Sequence, residues 1–334
     1  MKPDVSVVMP VHNAEGTLPA ALRSLQKQVM SSFEVIAVDD GSEDRSLSVL
    51  ESFAAKDRRI KVLLSKKGGI VKALNIGLSE AKGELVARMD SDDVCHPNRL
   101  EMQAAFLKKH RRASLVASRI RLFPRSRLKG GMLHYETWVN SVVMDADIMR
   151  DIFVESPLPH PSVMFRVSDV ASLGGYRDMG WPEDYDLWLR MAEAGMVLSK
   201  LPETLLFWRE GERRLSRADS VYSAEGFMNV KAHFLSRWRL AGARELQLWG
   251  SGRDGKAWAK LLIKCGFKVV QFIDIDKKKV GGQACGGIPV VWPADIIKGM
   301  SILCAVGIKG ARQQIRDYLT AEGFREPEEF FFLS

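Results

Sequence analysis

The strongest limit on the fold comes from short apolar runs that alternate with segments of helical spacing. Val5–Val11, Phe33–Val38, Ile60–Leu64 and Glu84–Met89 are rich in valine, isoleucine and leucine and too short for typical helices. A run apolar at almost every position, rather than at every second one, reads as a strand buried on both faces. Between the runs, Leu18–Gln28 places Leu18, Ala21, Leu22 and Leu25 on one helical face, and Ser46–Lys56 and Ile70–Ala81 also read as helices. Strands alternating with helices predict an α/β chain with a mostly parallel sheet covered on both sides. Ligands of such sheets bind at the carboxyl ends of the strands.

Two acidic clusters fall at those ends. Phe33–Val38 runs into Asp39-Asp40-Gly41-Ser42, and Glu84–Met89 runs into Asp90-Ser91-Asp92-Asp93. Carboxylates this close oppose one another's ionisation unless a cation or hydrogen-bond donors neutralise them. Carboxylate oxygens suit a hard ion such as Mg²⁺ or Mn²⁺, which is commonly held by one or two carboxylates together with substrate phosphates. Each cluster also has a structural reading: Asp40-Gly41 is a common turn pair, and Asp90–Asp93 could cap the helix that starts near Pro97. Two clusters on one predicted edge favour the functional reading.

The middle of the chain is less regular. Leu115–Phe123, His160–Arg166 and Leu205–Trp208 read as strands, and Val142–Phe153, Tyr185–Ala194 and Ser223–Ala241 as helices. The pattern then restarts. Glu245–Trp249 is a strand, followed by Gly250-Ser251-Gly252-Arg253-Asp254-Gly255, a helix over Lys256–Cys265, and a strand, Lys268–Ile273, that ends in Asp274. The glycine pattern has the strand and helix it needs to cradle a phosphate. Asp274 is spaced to hold a ribose hydroxyl, so a second nucleotide site at Gly250, Gly252, Gly255 and Asp274 is one reading. The other is an α/β module that docks a partner without a nucleotide. Ile302–Val306 and Ala311–Glu322 complete a small Rossmann-like domain. The expected division is therefore 1–212, a helical linker over 213–243, and 244–334.

With 46% hydrophobic and 27% charged residues, the composition is that of a soluble globular protein. No apolar run reaches the ~20 residues of a spanning helix, and Met1-Lys2-Pro3-Asp4 lacks a signal-peptide core. Four cysteines without CxxC spacing fit reduced thiols and a cytoplasmic place. The net charge of +8 is uneven: Lys108–Lys129 holds nine Lys/Arg and no Asp/Glu. Such a run is either a solvated face or an attraction for acidic acceptors and anionic lipid. No aromatic-interleaved basic stripe argues for nucleic acid.

Five motifs follow one another along the chain: Val5–Asn13, Val38-Asp39-Asp40-Gly41-Ser42 with Asp44, Ala73-Leu74-Asn75 with Gly77, Asp90-Ser91-Asp92-Asp93 with Pro97 and Arg99-Leu100, and Glu183–Trp188. Through them the first ~210 residues resemble the family 2 inverting glycosyltransferases of the GT-A fold. The resemblance implies that Pro10 and His12 line the nucleotide pocket, and that Asp40 binds the base with Asp39 beside it. It also implies Asp90 on the ribose, Asp92 on the metal, and Asp184 as general base with Glu183 as its competitor. His160 would lie near the metal or diphosphate. Mn²⁺ or Mg²⁺ is the implied ion, and a nucleotide-diphosphate sugar, with UDP foremost, the implied donor. The acceptor would be a saccharide or lipid-linked saccharide in cell-surface polysaccharide or lipopolysaccharide synthesis. A peripheral place on the inner face of the plasma membrane would suit the basic runs. Glu212–Arg217, with Arg213-Arg214, lacks the QxxRW pattern of processive synthases, so a single addition is expected. The alternative is a binding or assembly protein with a nucleotide-sensing second domain.

Overall fold

A computed structural model describes residues 2–211 and 220–334; Arg213 and Arg214 lie outside them. The chain divides into two compact units, Met1–Met149 with Pro157–Val221, and Arg150–Ser156 with Tyr222–Ser334. No helix among the described residues is long and apolar enough to cross a membrane.

The first unit is built on an eight-stranded sheet. Its strands are β1 (Val5–Val11), β2 (Phe33–Asp39), β3 (Ile60–Leu64), β4 (Leu85–Arg88), β5 (Val94–Cys95), β6 (Ala113–Phe123), β7 (Met164–Arg166) and β8 (Val197–Arg209), in the order β3-β2-β1-β4-β7-β6-β8-β5. The four strands read as continuous apolar runs form the parallel half. β7 is antiparallel to both β4 and β6.

Burial explains the sequence pattern. Val35 and Ala37 of β2 enter the core under helix Leu18–Gln26, while Ile36 and Val38 pack with Ala73 on the other face. Glu34, in the same buried strand, is compensated. Its Oε1 accepts from Ser6 Oγ (2.8 Å) and Lys82 N (2.9 Å), and its Oε2 pairs with Lys61 Nζ. Burial alone would raise the Glu34 carboxyl; the bonds from Lys61, Lys82 and Ser6 outweigh it and hold it below the usual range.

Helix Gly69–Glu80 approaches β1 closely because residue 77 is glycine. A Cβ there would meet Val8 Cγ1 at 2.4 Å. The middle of the chain departs from expectation. Pro159 and Pro161 carry no N–H for a ladder, so His160–Ser162 is a 3₁₀ turn and only Met164–Arg166 pairs as a strand. The expected helix over Val142–Phe153 is instead Gly130–Ser141 followed by Asp145–Asp151. Leu205–Trp208 is the end of the longer β8.

The second unit has six strands in the order β11-β12-β10-β9-β13-β14, where β9 is Glu245–Trp249, β10 Lys268–Ile273, β11 Gln283–Ala284, β12 Ile288–Val291, β13 Ile302–Cys304 and β14 Phe330–Phe332. All pairings are parallel except β11 with β12. Helix Ala224–Phe234 and the π-helical turn Leu235–Arg239 fall with this unit. So does Arg150–Ser156, whose Asp151 pairs with Arg316 and whose Val154 carbonyl accepts from the buried Lys231 Nζ at 2.8 Å.

The close approach at Gly77 yields a stability prediction. Val8 is β-branched and buried, so it has little freedom to yield. Gly77→Ala is expected to destabilise the first unit by about 1–3 kcal/mol, measured by chemical denaturation. Unchanged stability would show that the helix can move off β1.

Candidate active site

The ends of β1, β2 and β4 lie side by side: Val11 is in register with Asp39, and Val8 with both Ile36 and Arg88. At the end of β2 the two aspartates have different surroundings. Asp40 accepts from Gly68 N (2.9 Å) through Oδ1 and from Gly69 N (2.8 Å) through Oδ2, so its carboxylate fixes the entry to helix Gly69–Glu80. Asp39 Oδ2 accepts from Ser42 N at 3.2 Å, but its buried Oδ1 has no hydrogen-bond partner among the described residues. The resemblance gave Asp40 the nucleotide base and left Asp39 as neighbour; the orphaned acceptor is on Asp39. His12 Nδ1 lies 3.1 Å from the Asp40 carbonyl, Pro10 is partly buried, and Asp44 holds Glu15 N and Ser46 N.

At the end of β4, carboxylate oxygens of Asp90, Asp92 and Asp93 lie within 4.8 Å of one another. Three hard oxygen donors at this spacing fit Mg²⁺ or Mn²⁺. Asp90 is ion-paired with Arg88. Asp93 is fully buried and accepts from Arg209 N at 2.7 Å; it pins the end of β8 rather than capping a helix. Asn98, not Asp93, precedes helix Arg99–Lys109. Arg209 Nε donates to the Asp92 carbonyl at 2.6 Å, and its guanidinium stacks on Phe123 at 4.4 Å.

A third acidic group sits at the start of helix Glu183–Glu193. Glu183 is buried and Asp184 half-buried. Burial, then the charge of Glu183, push the Asp184 carboxyl up to about 8. His160 does not join the β4 carboxylates. Its Nε2 lies 2.8 Å from the Tyr176 hydroxyl and its Nδ1 3.5 Å from Glu183 Oε1. Burial, then the charge of Arg88, lower it to about 4, so the ring is neutral near pH 7. Tyr176 is itself clamped by Asn75, whose Oδ1 accepts from Tyr176 N (3.0 Å) and whose Nδ2 donates to its carbonyl (2.9 Å). That clamp gives the Ala73-Leu74-Asn75 motif its physical meaning.

Similarity to known proteins agrees with this geometry. Residues 6–171 match the family model described as Glycosyl transferase family 2. The amylovoran biosynthesis glycosyltransferase AmsE of Erwinia amylovora is 32% identical over 243 residues, 71% of this chain and 85% of that one. The chain belongs to the family 2 glycosyltransferases. The UDP-Gal:alpha-D-GlcNAc-diphosphoundecaprenol beta-1,3-galactosyltransferase of Escherichia coli is 28% identical to this transferase over 235 residues, 70% of this chain and 83% of the other. In fold, the first unit is a GT-A domain. The mannosyltransferase PcManGT of Pyrobaculum calidifontis, solved with GDP-Man and Mn²⁺, superposes with a TM-score of 0.52 at 18% identity, over 70% of this chain and 62% of that one.

The sequence alone did not point to four residues around the candidate site: Asn75 as a clamp, Arg88, Tyr176 and Arg209. Arg88 had a signal, since a charge stood inside the apolar run Glu84–Met89. Trp188 is fully buried, and its Nε1 donates to the Leu158 carbonyl.

In the second unit, Gly250, Gly252, Gly255 and Asp274 do meet at the carboxyl end of β9 and β10. The turn is closed so tightly that a Cβ on Gly255 would stand 1.7 Å from the Gly250 carbonyl oxygen. Asp274 Oδ2 already accepts from Ser251 N (3.0 Å), Ser251 Oγ (2.5 Å) and Lys279 Nζ (3.2 Å), and Oδ1 from Asp276 N (3.0 Å). Burial would raise this carboxyl, but these bonds hold it low. In the structure, Asp274 ties down the glycine loop.

The two aspartates of β2 separate by experiment. Asp40→Ala leaves Gly68 N and Gly69 N without their acceptor and is expected to cost about 1–3 kcal/mol of stability in thermal or chemical unfolding. Asp39→Asn is expected to leave stability near wild type, since it removes a charge with an unsatisfied acceptor. Equal destabilisation by both would contradict the division of roles.

Proposed function

We propose that this glycosyltransferase is metal-dependent and inverting, and adds one sugar from a UDP-sugar to a lipid-linked saccharide of cell-surface polysaccharide synthesis. The observation that carries the reading is the contrast between two carboxylate groups. One is a convergent set at the end of β4, with the donor chemistry of a hard-cation site. The other is Asp184, whose proton affinity is raised. Asp39 Oδ1 accepts from an N–H of the base, with Pro10 and His12 forming the wall. Asp90 receives the ribose, and Asp92 is the principal metal ligand. A divalent cation held there supplies charge stabilisation to the departing diphosphate.

Asp184 then takes the proton of the acceptor hydroxyl as that oxygen bonds to the anomeric carbon and the bond from that carbon to the diphosphate oxygen breaks. One displacement inverts the anomeric centre. Glu183 keeps Asp184 basic and is itself faced by the neutral His160. A diphosphoundecaprenol-linked acceptor, as in the name of the Escherichia coli relative, suits the exposed Arg121, Arg125, Arg127 and Lys129 around the end of β6. These cations also suit peripheral contact with the inner face of the plasma membrane.

The test is transfer from a panel of labelled nucleotide sugars with Mn²⁺ to a polyprenyl-diphosphate saccharide, with product stereochemistry read by NMR. Asp184→Asn is expected to lower kcat by about 10²–10⁴ while leaving the donor KM near wild type. Asp92→Ala is expected to weaken Mn²⁺-dependent UDP binding in calorimetry. Full activity in either variant, or a retained anomer, would overturn the assignment. The pH dependence has a defined sign. Asp184 works as a base only when ionised and its pKa is raised, so kcat/KM should climb as pH rises toward about 8. Glu183→Gln removes a like charge and should move that rise to lower pH.

A further inference from the structure

Arg88, the last residue of β4, is 2% exposed. Its strand is central, flanked by β1 and β7, and its neighbours Val86 and Ala87 pair with Phe165 and Met164. An apolar side chain would suit such a position. Burying a guanidinium there costs several kcal/mol unless its partners compensate. The compensation is incomplete: Nη1 stands against Asp90 Oδ1, but Nε has no hydrogen-bond partner among the described residues. The cation is also felt by Tyr176, Glu183 and His160. Its backbone is pinned, since the Arg88 carbonyl accepts from the buried Arg99 Nη2 at 2.7 Å. Arg88 is therefore a fixed positive charge beneath the carboxylates of the β4 end.

All three of those carboxylates are close enough to share one cation. Mg²⁺-type sites at phosphates work with one or two carboxylates and keep other positions for substrate oxygens and water. The structure engages the two flanking members otherwise: Asp90 by the Arg88 side chain and Asp93 by Arg209 N.

We propose that Arg88 is a positioning residue that holds Asp90 out of the metal's coordination sphere, so that the protein binds the free cation weakly and the nucleotide diphosphate completes the site. Asp90 is thereby kept for the donor's ribose. The inference rests on the metal-dependent reading above and goes further: it predicts that removing a residue from the site tightens the binding of the bare ion.

The test measures Mn²⁺ affinity by EPR of the free ion, with and without UDP and with no sugar transfer involved. Arg88→Gln removes the charge and should bind Mn²⁺ alone at least about tenfold more tightly than wild type. The further gain on adding UDP should be smaller than in wild type. Arg88→Lys keeps the charge and should stay near wild type for the bare ion. Asp90→Asn removes a nearby charge but no ligand and should weaken Mn²⁺ binding clearly less than Asp92→Asn, which should weaken it by about tenfold or more. Unchanged or weaker Mn²⁺ binding in folded Arg88→Gln overturns the proposal. If that variant does not fold, the asparagine pair decides: equal losses in Asp90→Asn and Asp92→Asn overturn it. Wild type that binds no Mn²⁺ even with UDP overturns the metal reading and this inference together, whereas wild-type binding with a flat Arg88 series overturns this inference alone.

Discussion

The constraint on which the site depends is the parallel pairing of β2, β1 and β4, with both faces of the sheet covered. Polar chemistry in such a sheet can leave the core only at the strand ends. Register then decides which ends meet. Val11 opposite Asp39, and Val8 opposite Arg88, bring the Asp39-Asp40 turn and the acidic cluster to one edge. A slip of one residue would reverse the faces of every side chain in the strand. The covered faces that stabilise the sheet also fix the positions of the carboxylates.

A second theme is how unlike charge is distributed around that edge. Carboxylates at β2 are quieted by backbone N–H groups, those at β4 by an arginine side chain and an arginine N–H, whereas Asp184 at the start of helix Glu183–Glu193 is governed by burial and by the like charge of Glu183 beside it. The first two arrangements hold their carboxylates in fixed positions. The third leaves a carboxyl that holds its proton more tightly, which suits a group that must accept one. Three acidic motifs that look alike in sequence thus have three different surroundings.

This also explains what could be read in advance. The parallel half of the sheet was legible because strands buried on both faces are apolar throughout, and the acidic ends were legible because such runs stop abruptly. The other half, where parallel and antiparallel pairings mix, was harder to read. β7 has only three residues, and the prolines around His160 convert an expected strand into a turn. The different surroundings of Asp39 and Asp40 were not legible: they depend on Gly68 and Gly69, far along the chain, coming to meet Asp40. The resemblance implied His160 near the metal or diphosphate; that its ring meets Tyr176 and Glu183 was not legible. Asn75, Tyr176 and Arg209 act through contacts of long sequence separation, which no local pattern announces.

The small segment Arg150–Ser156 carries a consequence for how such a chain can be rearranged. It leaves the first unit, contributes Ile152, Phe153 and Val154 to the buried interior of the second, and returns to supply Pro159 and His160. The two units are therefore not beads joined by one tether. No single cut in the backbone separates them cleanly, because the chain passes between them three times. Exchange of the second unit between relatives, by recombination or by design, must carry this internal strand of sequence along with the C-terminal half. Inheritance of the two parts is coupled by topology, even if their chemistries are independent.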